Sequence, residues 1–351
     1  MTAQLQKKWL NQLEKKLMTY NIGVVGCGKI FSRHFEAINQ NKKYNLVSVC
    51  DTDELTLLNI RVPKNVKKYK NYRNMIDKED INFVVIASPN AFHFDHCIYA
   101  LENGCDALIE KPAVLNPKNL DILQTVASNH EQKIYAVLQV RLNPAVQNLK
   151  YLIDNNLIGG IRGFNLTQRW QRPKEYFDDW RGKPKIGGGI LHECGIHYLD
   201  ILCYLLGKPS VAHAKTYNTK HKNVDIEDTL YANLDFGEYG GNIEITIASE
   251  PHNLECSLSL LTDIGYIKLG GKAMNVVEDI KFNSEEKTIQ INNFMNFNNK
   301  IVSPNSYGSY AGSCPNHPNL YNNIENFNLQ ETKKVLQLIT EIYDYCKIQY
   351  F

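Results

Sequence analysis

The sequence predicts an α/β protein built from a doubly wound parallel sheet followed by a second α/β unit with an open, mostly antiparallel sheet. From Tyr20 to about residue 140, short apolar runs alternate with stretches of helical spacing, the pattern of strands joined by crossover helices. Beyond that point, runs of period two follow one another with turn residues between them, as in adjacent strands that bury one face. A chain of 351 residues with 43% hydrophobic side chains can fill two cores. The expected divisions are an extension over 1–19, a first domain over 20–140 and a second over 141–351.

Each element follows in order. The start, MTAQLQKKWLNQLEKKLMTY, spaces apolar residues helically among lysines and reads as a helix packed on the body; it lacks the apolar core and cleavage site of a signal peptide. NIGVVG, NLVSVCD, FVVIASP, DALIE and KIYAVLQ read as strands, with helices over 30–39, 92–103 and 120–128 between them. A bridging helix over 142–155 and, after a loop, a helix over 187–206 precede the strands TLYANLDF, GNIEITIA, LECSLSLL and GYIKLGG. Residues 292–328, rich in Asn, Ser, Pro and Gly, read as irregular loop. LQETKKVLQLITEIYDYC is a closing amphipathic helix that could pack back on the first domain.

Composition narrows the function. A net charge of +2, from 39 basic and 37 acidic side chains, creates no field to recruit nucleic acid or an anionic membrane, which leaves small-molecule work. Nine cysteines, an odd number without a CxxC pair, suggest reduced thiols and a cytoplasmic protein. No stretch has the ~18 uninterrupted apolar residues of a membrane span.

Three motifs carry chemistry. In NIGVVGCGKIFSRH, Gly26 and Gly28 fit the first two positions of GxGxxG, where backbone N–H groups approach a pyrophosphate at a helix N-terminus. Lys29 and Ile30, which lead into that helix, join the candidate cofactor contacts, while Phe31 departs from the usual third Gly or Ala. Asp51 lies 23 residues after Gly28, near the ~20 expected of an acid that binds a ribose 2′-OH, and so favours NAD over NADP. Two further strand ends, carrying Ser88, Asn90 and His93 and then Glu110 and Lys111, should face the same crevice.

The third motif is GGGILHECGIHYLD. At 3.6 residues per turn, positions 189, 193, 197, 200 and 204 form one polar stripe opposite Leu191, Gly195, Tyr198, Leu202 and Leu205. HECGIH echoes the HExxH zinc motif, but its histidines are five apart, roughly 140° around a helix, so no metal is expected.

Together, the GxG with His34 downstream, SPNAFH, EKP and GGGILHECGIH resemble the Gfo/Idh/MocA oxidoreductases over nearly all of residues 20 to 350. The resemblance implies a Rossmann domain, a second domain with a large open sheet, and an active site between them. It also implies that Glu193 and His197 face Lys111 across a nicotinamide, although the family more often has Asp or Asn where Glu193 stands. Removing a hydride from a carbinol requires a base with a pKa near 7 and a cation for the developing alkoxide. His197 and Lys111 suit these roles, in either assignment; Asp200 would orient His197 or support packing.

The segment TQRWQRPKEYFDDWRGKPKIGGG interleaves Arg169, Arg172, Arg181 and Lys183 with Trp170, Tyr176 and Trp180, which suits a ligand bearing anionic groups and flat rings. It resembles the branch that oxidises UDP-N-acetylglucosamine or its uronate at C3, through Arg172, Tyr176, Trp180, Arg181 and Gly182. Gln139, Arg141 and Asn143 are then implied sugar or diphosphate contacts, and NHPNLY, with Asn316, His317 and Tyr321, a late segment returning to the site. The implied function is an NAD-dependent nucleotide-sugar 3-dehydrogenase in surface-polysaccharide synthesis. Alternatives are a dehydrogenase of free sugars or inositols and a non-catalytic dinucleotide-binding regulatory protein. A homo-oligomer, dimer or tetramer, is expected, because an open sheet would leave an apolar face uncovered.

Overall fold

The computed structural model describes residues 19–297 and 316–351; the helix expected before them lies outside the described residues. β1 (Tyr20–Val25), β2 (Tyr44–Cys50), β3 (Lys67–Tyr69), β4 (Phe83–Ile86), β5 (Asp106–Ile109) and β6 (Ile134–Ala136) form a six-stranded sheet in the order β3-β2-β1-β4-β5-β6. Every pairing is parallel. The crossovers contain α1 (Phe31–Gln40), α2 (Glu54–Asn59), α3 (Tyr72–Lys78), α4 (His93–Glu102) and α5 (Lys118–Asn129). Phe83, Val84, Val85 and Ile86 are all fully buried, as a central strand covered on both faces requires.

The register aligns the strand ends. Val25 pairs with both Cys50 and Ile86, Ile86 with Ile109, and Ile109 with Ala136. Gly26, Asp51, Ser88 and Lys111 therefore leave the sheet on one side, around the point between β1 and β4 where the strand order reverses and ligands bind in such sheets.

The second sheet contains β7 (Ile161–Arg169), β8 (Ser210–Tyr217), β9 (Thr229–Asp235), β10 (Gly240–Thr246), β11 (Glu255–Thr262), β12 (Gly265–Gly270) and β13 (Val276–Phe282). Its order is β13-β12-β11-β7-β10-β9-β8, antiparallel except where β7 runs beside β10. α6 (Pro144–Asp154), α7 (Ile196–Leu206) and α10 (Lys333–Tyr345) lie on the inner side, where Leu166, Ile245, Leu258 and Ile267 are fully buried.

The structure corrects three expectations. The outer face is not apolar: Glu244, Arg169, Glu255, Lys268 and Glu278 form an alternating row of ion pairs across five strands, with separations of 2.7, 3.2, 3.4 and 2.9 Å. Residues 292–328 are not wholly irregular, because α8 (Glu285–Phe297) buries Ile291 and Met295, and α9 (His317–Asn322) packs on α1. The closing helix α10 packs mainly on α7 and β8 within the second unit and reaches the first through its initial residue, Lys333, which pairs with Asp121 of α5 at 2.7 Å. The segment before it returns to the first sheet, where the Ala136 N–H donates to the Phe327 carbonyl at 2.8 Å.

Candidate active site

The crevice begins at a glycine that geometry demands. Gly26 has φ +100°, and a Cβ there would lie 2.4 Å from the Ala87 carbonyl oxygen. Gly28 is exposed and a Cβ would meet nothing within 4 Å, so the space beside its backbone is open to a ligand. Lys29 is also exposed and Ile30 partly so, and no side chain caps α1. The Phe31 and Arg33 N–H groups bond back to the Gly28 and Ile30 carbonyls, so it is the turn leading into the helix, Gly28 to Ile30, whose N–H groups suit a pyrophosphate. Phe31, at the third position of the motif, is buried and stacks on Phe35 with ring centroids 5.8 Å apart, so bulk is accommodated where the motif usually has a small residue. Asp51 accepts from the Cys27 N–H at 2.8 Å and the Asp53 N–H at 2.9 Å, which fixes its partly exposed carboxylate beside the glycine turn. These residues fit a dinucleotide.

The next strand ends are tied to each other. His93 is fully buried, its ring nitrogens 2.7 Å from the Ser88 carbonyl and 2.8 Å from that of Pro112, so its side chain clips two loops together and is shielded from the crevice. Ser88 Oγ lies 2.9 Å from His96 Nδ1. Glu110 points inward: Oε1 is 3.0 Å from His34 Nε2 and 3.3 Å from His317 Nε2, and Oε2 accepts from the Lys111 N–H at 3.1 Å. Burial pushes this carboxyl up, but the bonds from His317 and His34 outweigh it and hold it well below the usual range. Among the described residues, His34, Glu110 and His317 are the one group whose ligand-type atoms converge closely enough for a metal. Their mutual hydrogen bonds account for the convergence, and their visible effect is to fix the peptide of Lys111.

Opposite Lys111 stands the glycine-led segment. After a helical turn, Pro184–Gly187, the chain passes Gly188 and Gly189, winds once as a π turn over Leu191–Gly195 and enters α7. A Cβ on Gly189 would lie 2.2 Å from Tyr343 Oη and 2.7 Å from Glu227 Oε1, which explains the glycine. Glu227, whose pKa burial raises, accepts from the Ile190 N–H at 3.0 Å and from Tyr343 and Tyr350, while the Leu191 N–H donates to Tyr343 Oη at 2.9 Å. Sequence reasoning missed Glu227, Tyr343 and Tyr350, because no spacing signals contacts made 116 and 123 residues away.

The π turn also revises the predicted stripe. Within Leu191–Asp200 only Glu193 and His197 are partly exposed besides the buried remainder. His192 is buried and stacks on Tyr343 at 5.4 Å, whereas His197 lies beside Trp170 at 6.5 Å, so the two rings go to different neighbours. Lys111 and His197 line one small pocket with Val137, Leu138, Val140, Ile196 and Asp200. Burial, and then the Lys111 charge, push His197 down to about 3, not to the value near 7 expected of its role.

Glu193 is the hub of this region. Its Oε1 accepts from Tyr176 Oη at 3.0 Å and Arg181 Nε at 3.3 Å; its Oε2 accepts from Asn90 Nδ2 at 3.4 Å and lies 3.6 Å from Lys111 Nζ. Lys111 Nζ donates to the Glu193 carbonyl at 2.8 Å, and Asn90 Nδ2 to that of Gly187 at 2.9 Å. Arg181 lies 4.4 Å over the Trp180 ring and 5.3 Å from that of Tyr176; Arg172 lies 4.6 Å over Trp170 and 5.3 Å from Tyr176.

The structure corrects several expected substrate contacts. Arg141 is buried and committed to Asp200 at 2.7 and 2.8 Å and to Glu331 at 2.8 Å; Asp200 is thereby occupied with Arg141 and does not orient His197. Asn143 donates to the Ala273 carbonyl at 2.9 Å and accepts from Asn316 at 2.9 Å, inside the protein. The Gln139 carbonyl accepts from Asn316 at 3.0 Å, and its buried Oε1 has no partner among the described residues. Tyr321 is buried and meets His34 Nδ1 at 2.9 Å, supporting the Glu110 network instead of a sugar.

Parallel sheet, glycine turn and paired acid are those of a Rossmann-type oxidoreductase. The chain belongs to the Gfo/Idh/MocA family: residues 20–138 match its NAD-binding Rossmann fold and residues 146–267 its C-terminal domain, and NAD is the cofactor of the fold. A Formosa agariphila oxidoreductase is 26% identical over 215 residues, 59% of this chain and 66% of that protein, just under two thirds of its length. Glucose-6-phosphate 3-dehydrogenase of Bacillus subtilis is 26% identical over 68% of each chain. Among solved structures, the WlbA dehydrogenase of Bordetella pertussis, in complex with NADH and UDP-GlcNAcA, is 26% identical, with a TM-score of 0.83 over 94% of this chain and 96% of that one. The WlbA dehydrogenase of Chromobacterium violaceum, 24% identical with a TM-score of 0.82 over 94% of each chain, shares the fold. Among the described residues, no helix is long and apolar enough to cross a membrane.

Proposed function

We propose that the protein is an NAD-dependent dehydrogenase that oxidises the C3 hydroxyl of a UDP-N-acetylhexosamine or its uronate, in surface-polysaccharide precursor synthesis. The observation that carries this reading is the stack of Arg172, Tyr176, Trp180 and Arg181, which meets Glu193, the carboxylate that also pairs with Lys111. Cations and rings in one layer suit a substrate with a diphosphate and a flat base. The Bordetella relative, bound to NADH and UDP-GlcNAcA, supports the same class. C3 is supported by relatives named glucose-6-phosphate 3-dehydrogenase and, from Escherichia coli at 23% identity over 62% of this chain, D-glucoside 3-dehydrogenase.

Bound NAD supplies the hydride acceptor. Lys111, whose Nζ already acts as a donor, is placed to hydrogen-bond the sugar oxygen and stabilise it as the O–H bond breaks. His197 is neutral at physiological pH and lines the same pocket, where it takes that proton and hands it to solvent, although its depression to about 3 makes it a weaker base than the pKa near 7 that suits the step. Asn90 and the Glu110 network keep both sides of the crevice in register.

The sugar 3-dehydrogenase relatives favour a second reading, oxidation of a simple sugar. The purified protein, given NAD and separately UDP-N-acetylglucosamine, its uronate, glucose and myo-inositol, should form NADH only with a nucleotide sugar. NADH formed only with glucose or inositol would overturn the nucleotide-sugar reading. Binding of NAD with no turnover of any of them would favour a regulatory protein.

A further inference from the structure

We infer that Glu193 is a specificity-determining residue that turns away a carboxylate on the sugar, so that the site takes the uncharged hexose and rejects its uronate. The inference rests on the proposed function, whose substrate class it narrows. Glu193 holds a fixed charge where the two cations nearest the chemistry converge, with Arg181 Nε 3.3 Å from Oε1 and Lys111 Nζ 3.6 Å from Oε2. Burial raises its pKa, but Lys111 and then Arg181 outweigh that effect and leave it below the ordinary value, so the side chain is ionised at neutral pH. Tyr176 and Asn90 donate to the two carboxylate oxygens and prevent the group from swinging away. Asp179 also pairs with Arg181, so two anionic groups of this chain already meet that guanidinium.

The charge balance decides what may join this cluster. A pyranose held by its C3 oxygen at Lys111 carries its C5 substituent one ring atom beyond C4, only a few ångströms away. A hydroxymethyl group there adds no charge. A carboxylate would bring a second anion to a site whose lysine and arginine are already balanced, in a partly buried setting. The like charge of Glu193, about 5 Å away at an effective dielectric of ~20, would by itself disfavour entry on the order of 100-fold, and the attraction of Lys111 and Arg181 offsets part of this and leaves on the order of 10-fold.

The test compares kcat/KM for UDP-N-acetylglucosamine and its uronate in the wild type, Glu193→Gln and Glu193→Asp. The wild type should prefer the uncharged sugar by on the order of 10-fold. Glu193→Gln should reduce that ratio at least about tenfold, chiefly by improving the uronate, whereas Glu193→Asp, which keeps the charge, should retain most of it. Equal or better use of the uronate by the wild type, or a ratio unchanged in Glu193→Gln, overturns the inference. If neither nucleotide sugar reacts, the nucleotide-sugar reading fails. Competition of methyl glucoside and methyl glucuronide for the NAD complex then decides the charge argument by itself, with equal affinities refuting it. If Glu193→Gln does not fold, Glu193→Asn takes its place with the same expected loss of preference, and a ratio unchanged in it refutes the role.

Discussion

Lys111 and Asp51 were legible as residues of the crevice because each follows the end of a strand, and strand ends converge in a parallel sheet. Arg141 was misread for the opposite reason: its partners Asp200 and Glu331 stand 59 and 190 residues away, and an arginine near a glycine-led helix looks the same in sequence whether it binds a ligand or a buried aspartate. Asp51 sits beside the turn of Gly26 and Gly28 with its carboxylate fixed by two backbone N–H groups. Asp51→Ala should therefore reduce the preference for NAD over NADP by about tenfold or more, because it removes the repulsion of a 2′-phosphate. An unchanged ratio of kcat/KM for the two cofactors would remove Asp51 from that role.

At the scale of elements, the helix carrying Glu193 and His197 was legible from its residues, but its geometry was not. A 3.6-residue period cannot register a π turn, and such turns recur at functional sites. β7 escaped detection because its strand, IRGFNLTQR, buries Thr167 and Gln168 as well as Leu166, which breaks apolar alternation. Of the three glycines, Gly189 takes its reason from the distant Glu227, Tyr343 and Tyr350, whereas Gly188 has a φ of +76° and Gly187 lies against the Trp180 carbonyl. Gly189→Ala should displace these groups, lower stability by about 1–3 kcal/mol and reduce kcat more than it changes the affinity for NAD. Denaturant midpoints with NAD titration test this; a variant as stable and active as the wild type would show that the close packing there is not needed.

For the whole molecule, the order of strands and the alternation of the second sheet made the architecture readable, while the polar outer face did not follow from an open sheet. Buried histidines also give the molecule a directional response to acid. Burial depresses His96 to about 4 and His192 and His197 to about 3. The unfolded chain therefore takes up protons below about pH 6.5 that the native state refuses, and stability falls as pH falls toward those values. Each such group contributes at most about 1.4 kcal/mol per pH unit, and the raised pKa values of Asp200 and Glu227 oppose the trend. His192→Phe should flatten the loss between pH 6.5 and 4.5, measured as the denaturant midpoint at each pH. A slope identical to that of the wild type would show that His192 does not resist protonation in the native state.

The most direct test of the assigned chemistry is single-turnover NADH formation from UDP-N-acetylglucosamine by the wild type and Lys111→Met, with NAD affinity measured alongside. The expected result is a signal in the wild type, a loss of at least about 1000-fold in its rate in Lys111→Met, and little change in NAD affinity. A variant that turns over the sugar as fast as the wild type would contradict the assignment of Lys111 to the reacting oxygen.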